Sequence, residues 1–236
     1  METADQIIEE LRPLGKPSIK KVLTEHGARE PFFGVPIGDL KPIVKRLKPQ
    51  YQLALDLYAT GISDAMYLAG LIVDDRQMTR EDLHCWVDAA YWSMLSESTV
   101  PWVAAGSPFG GEKALEWIES EVESTACAGW RTLGDLAALR PDADLDLPHY
   151  QLLLARVQST IQQSPNRVRY CMNSFVIHVG TYIAPLSQQA IQAAESIGEV
   201  KVSMGKTACR VAPAPQTIAT AIEKGKLGKK LKTVKC

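Results

Sequence analysis

The chain has 236 residues, 46% of them hydrophobic and 22% charged, with a formal net charge of −1; this is the make-up of an ordinary globular protein, not a disordered or fibrous one. It opens Met-Glu-Thr-Ala-Asp without a basic or apolar leader, and no apolar run approaches the roughly 18–20 residues of a membrane span. Its five cysteines are scattered and odd in number, so the expectation is a cytoplasmic chain with free thiols, no membrane association, no disulfide framework and no Cys-x-x-Cys metal site.

In chain order, helical spacing appears in almost every segment. Residues 3–12 form a short amphipathic start, broken between Pro13 and Pro17, and Ile19, Val22 and Leu23 predict a second helix that ends near Gly27. A turn over residues 30–40 leads to a helix with Asp39 as its cap, with Leu40, Ile43, Val44 and Leu47 inside and Lys41, Lys45 and Arg46 outside. Helices follow over 50–60 and 63–73, and Thr79 with Asp82 reads as a capping box opening 80–90. A helix over 92–105 carries Pro101, which bends or ends it. Further helices fall at 112–122, 125–138 and 149–163. Ser164-Pro165 predicts the start of the next, with Val168, Met172, Phe175 and Val179 as its apolar stripe. After a helix from 187 to 198, residues 199–213 read as a small hairpin or ordered loop; a helix over 214–224 and a lysine-rich tail expected to fray close the chain.

About twelve short helices result. Trp92 and Trp130 lie 38 apart, and Cys85, Cys127 and Cys171 are spaced by 42 and 44, near the period of stacked helix-pair repeats. The expected fold is all-α, a HEAT-like repeat α-solenoid over residues 1–198, with 199–236 as an irregular extension carrying a short helix and a basic tail.

Charge is unevenly placed. Residues 167–236 hold eleven Lys/Arg against three Glu, and residues 16–48 hold eight basic against three acidic side chains. Two basic regions suit a polyanion, because neutralising phosphates releases counterions; solvated faces explain the same charges. The four histidines show no grouping, so no metal is expected. Met204-Gly-Lys-Thr has the end of a phosphate loop but Val200 where its first glycine belongs, which excludes a nucleotide loop. Three of five tryptophans crowd into Trp86–Trp102, and Trp92 and Ser96 share a helix face there.

The segments Phe33-Gly-Val-Pro-Ile-Gly-Asp-Leu-Lys, Tyr91-Trp-Ser-Met-Leu-Ser and Arg167-Val-Arg-Tyr-Cys-Met-Asn-Ser-Phe-Val-Ile resemble the DNA alkylation repair family, whose AlkD-type glycosylases are HEAT-like repeat proteins. The resemblance covers about residues 18–198. It implies a monomer that wraps double-stranded DNA, damaged or branched, without a cofactor. It also implies a site of two aromatic side chains and an aspartate beside the deoxyribose of a cationic alkylated purine. Trp92 falls at the site tryptophan, Phe175 at the second aromatic, and Ser96 where the aspartate belongs. Serine offers no charge to a developing oxocarbenium ion. Glu97 is adjacent, but one residue along a regular helix is about 100° away. Arg167, Arg169 and Asn173 near a helix start, Lys206, and Lys41, Lys45 and Arg46 at the other end are the expected DNA contacts. Two activities stay open at this point: excision of alkylated bases using Glu97 and Ser96, and a non-catalytic scaffold for branched DNA or a protein partner.

Overall fold

Apolar residues at three- and four-residue spacing fold the chain into α-helices, thirteen of them among the described residues. In the computed structural model, which describes residues 2–47, 49–207 and 209–236, these helices are α1 (Ala4–Leu11), α2 (Pro17–Glu25), α3 (Ile37–Leu47), α4 (Tyr51–Ala59), α5 (Ser63–Ile72), α6 (Arg80–Ala89), α7 (Val100–Gly106), α8 (Gly110–Trp117), α9 (Glu123–Leu139), α10 (Leu147–Thr160), α11 (Asn166–Tyr182), α12 (Ser187–Ile197) and α13 (Ala214–Glu223). The described residues contain no strand, and residues 199–207 and 209–213 are loop. From α5 onward, α5, α7, α9, α11 and α13 stack in sequence as one layer. The intervening helices pack behind them, α8 on α9 and α12 on α11, giving the two-layered solenoid that paired helices produce.

Local signals set most boundaries. Thr3 with Gln6 and Thr79 with Asp82 both close capping boxes. Asp39 is not a cap: α3 begins at Ile37, and Asp39 sits in its first turn, ion-paired with Lys16 at 3.1 Å. Ser164 does not cap α11 either; its hydroxyl turns back to the Thr160 carbonyl, and Pro165 takes the cap position. The buried Asp64 at the start of α5 accepts the N–H groups of Phe33 and Val35 at 2.6 and 2.7 Å and fixes the loop beneath α2.

Two apolar cores divide the interior. The first runs from α1 through α7 and contains Trp86, Trp92 and Trp102. The second is built from α8 to α13 around Trp130, Tyr150 and Phe175. The C-terminal tail, expected to fray, is instead tied down. Gly228 and Leu231 donate backbone N–H groups to Thr181 and Ala138. The Lys230 ammonium reaches the carbonyls of Ala137 and Tyr182 and the Asp142 carboxylate, while Lys235 pairs with Asp75 at 2.6 Å. Lysines thus serve the orphan carbonyls at the ends of α9 and α11, where a helix terminus carries partial negative charge.

Candidate functional site

A groove of about 850 Å³ opens over the seam between the two cores. One wall is the segment Tyr91–Met94 with Glu97 and Ser98, and the opposite wall is Arg131 of α9 with Arg167 and Tyr170 of α11. The end of α2 and the loop carrying Ser203–Gly205 and Arg210 complete the lining.

The first wall depends on a departure from regular helix. Residues Leu95–Thr99 form a π-turn, in which the Val100 N–H reaches back to the Leu95 carbonyl. Pro101 supplies the reason: in an α-helix its N–H would serve the Glu97 carbonyl, and proline has none. Arg131 Nε donates to that carbonyl at 3.0 Å instead. Gly70 of α5 faces the Thr99 side chain so closely that any Cβ there would collide with it. The wider turn rotates Glu97 into the groove lining, where single-turn π segments often carry functional groups. Glu97 is 6% exposed and accepts two hydrogen bonds from the Arg167 guanidinium, at 2.7 and 2.5 Å. Burial pushes its carboxyl above the ordinary range, and the Arg167 contact opposes that shift.

Trp92 borders the groove but is largely buried; its indole N–H donates to the Ser63 hydroxyl at 3.0 Å, so it is an edge of the wall and not a platform. Ser96 is corrected: it is 3% exposed, its hydroxyl returns to the Trp92 carbonyl, and it does not line the groove. Phe175 is corrected as well. It is fully enclosed between Trp130 and Tyr150, with ring centroids at 5.3 and 5.8 Å. Along a regular helix it lies roughly 140° from Tyr170, and Tyr170 takes the groove.

The expected phosphate contacts separate in the same way. Arg167 lines the groove, while Arg169, two positions along α11, does not and leans on Asn166. Asn173 is buried and donates to the Ala212 carbonyl, anchoring the C-terminal loop. Lys41 and Lys45 are exposed on α3 away from the groove, and Arg46 is held by Glu2 and Glu10 of the N-terminal segment. Lys206 is exposed at the turn of the loop whose neighbours Gly205 and Arg210 line the groove.

Sequence reasoning missed Arg131, Tyr91 and Tyr170. For Arg131 the signal was periodic: Glu97, Arg131 and Arg167 stand 34 and 36 residues apart, on the π-turn that leads into α7, on α9 and on α11. Tyr91 is held by its hydroxyl on the Arg29 carbonyl at 3.0 Å, with the Arg29 guanidinium over its ring at 4.6 Å. The Arg167 guanidinium lies over the Tyr170 ring at 4.5 Å. Three arginines against Glu25 and Glu97 leave the lining cationic.

Beneath the groove a Glu97 oxygen and the Cys127 and Cys171 sulfurs lie within 4.8 Å of one another. Arg167 already occupies the carboxylate, and burial keeps the Cys171 thiol protonated. The cluster reads as a buried ion pair resting on two thiols.

A family model described as "DNA alkylation repair enzyme" matches residues 7–214. The chain is 35% identical to the uncharacterised protein Lin0241 of Listeria innocua serovar 6a and 34% identical to the uncharacterised protein Lmo0209 of Listeria monocytogenes serovar 1/2a. Each match covers 94% of this chain and 98% of the relative. A solved structure described as "a new family of proteins related to the HEAT-like repeat DNA glycosylases with affinity for branched DNA structures" superposes with a TM-score of 0.92 at 36% identity, over the whole of both chains.

Proposed function

This chain belongs to the DNA alkylation repair family, and from that premise we propose that it binds branched DNA without excising bases. The state of Glu97 carries the reading. The family's excision chemistry wants an uncommitted carboxylate beside the sugar, and here both carboxylate oxygens are bound by one guanidinium. Such a pair cannot lend its full charge to a developing cation. What remains is a cationic, aromatic-lined groove, and the solved relative that superposes over its full length is described as having affinity for branched DNA. The working form is a monomer in a reducing cytoplasm, where the exposed Cys85, Cys209 and Cys236 stay free.

The test is competition binding of a four-way junction against a linear duplex of equal length, at one salt concentration, alongside incubation with N7-methylguanine duplex. The junction is expected to bind about tenfold tighter or more, in line with ordinary discrimination of DNA targets, with no free base released. Base release abolished by Glu97→Gln would replace this reading with a glycosylase that uses Glu97 beside Trp92.

A further inference from the structure

The groove holds more aromatic surface than contact with a paired helix requires. A duplex presents phosphates outward and keeps its bases stacked inside, so cations suffice to grip it. Here two tyrosine rings, Tyr91 and Tyr170, stand partly exposed on opposite walls. Each is backed by an arginine over its face, at 4.6 and 4.5 Å. Tyr91 is fixed further by its hydroxyl on the Arg29 carbonyl. Met94 and Met204 add polarisable thioethers to the same lining. Proteins that hold single-stranded nucleic acid use this combination, aromatic rings and arginine planes for bases with cations along the backbone. The volume of about 850 Å³ lies in the range that encloses a ligand of nucleotide size.

At a branch point the stack is interrupted, and taking an unpaired nucleotide out of it costs least. We propose that the groove is a nucleobase pocket. It takes one unpaired nucleotide from the branch point against Tyr170 and Tyr91, with Arg131 and Arg210 on the flanking phosphates. Glu97 presents no repulsive charge to those phosphates because Arg167 neutralises it. This inference rests on the branched-DNA reading and names the part of the branch that is recognised.

The experiment uses the full chain and two three-way junctions of identical arms. One carries two unpaired adenines at the branch, and the other carries abasic sites at the same positions. The junction with bases is expected to bind about tenfold tighter, the scale of one aromatic stacking contact. Tyr170→Ala should erase that ratio and Tyr170→Phe should keep it, because only the ring is needed. Replacing one unpaired adenine with 2-aminopurine should give fluorescence quenched on binding to the wild type and unquenched with Tyr170→Ala. If the base-bearing and abasic junctions bind equally while both outcompete linear duplex, the nucleobase pocket is wrong and the branched-DNA reading stands. If neither junction outcompetes linear duplex, that reading falls too.

Discussion

The two walls of the groove are built from opposite kinds of helix. On α11 the backbone is regular over Asn166–Tyr182, and position follows period: Arg167 and Tyr170 face the groove while Phe175 turns into the second core. On the facing wall the π-turn Leu95–Thr99 breaks the period, and Glu97 stands where a regular helix would not put it. A site residue can therefore shift by one position when the backbone absorbs the shift. Ser96 lost the place of the family's acid, and a proline four residues after Glu97 gave a neighbouring acid access to the groove.

Four substitutions probe that contrast. The largest effect belongs to the regular wall. Phe175→Ala removes a ring packed between Trp130 and Tyr150 and is expected to cost about 3–5 kcal/mol in denaturant unfolding. The junction affinity of the folded fraction should be unchanged; a selective loss of affinity would return Phe175 to the groove. Next comes Arg167→Ala, which strands the buried Glu97 carboxylate. About 3 kcal/mol of stability should go, and unlike the Phe175 variant this one should also lose junction affinity.

Asp135, below the groove on α9, tests the buried charges that support both walls. Burial raises its carboxyl to about 7, with Arg131 opposing the rise and His178 3.8 Å away. The folded state then binds a proton that the unfolded chain has already released, so stability falls as pH rises from about 4 through 7. Between pH 5 and 8 this group alone should cost the wild type about 2–3 kcal/mol. Asp135→Asn should flatten that part of the profile and be the more stable protein at pH 8. An unchanged profile would mean that Asp135 does not titrate in this window. The smallest expected change in stability, within about 1 kcal/mol, is that of Pro101→Ala. Restoring the N–H lets the Glu97 carbonyl re-enter an α ladder in place of its bond from Arg131 and re-aims the wall that carries Glu97, so junction affinity should fall while unfolding barely moves.

Much of the architecture was legible in the sequence because it rests on period and punctuation. Apolar spacing marked the helices, Thr79 with Asp82 marked a start, and the 38 to 44-residue recurrences marked the stacking. The site was less legible. Period alone cannot show which side of α11 meets the groove, so Phe175 was taken from the resemblance as the second site aromatic and Tyr170 was passed over. Glu97 was named as a candidate catalytic residue, but on a regular helix it points about 100° away from Ser96; the consequence of Pro101 for the Glu97 carbonyl appears only once the π-turn is seen. The tail misled for a different reason: Lys230 and Lys235 look like solvated charge until the carbonyls and carboxylates they meet are brought together by the fold.

The proposed DNA reading requires the arginines gathered over the seam between the two cores to grip a phosphate backbone. The direct measurement is the junction association constant across a salt series, for the wild type and for Arg210→Ala, whose side chain lines the groove. A steep negative slope of log K against log salt is expected, reduced by about one in the variant. A slope near zero, unchanged by the substitution, would contradict the account and point to a scaffold for a protein partner.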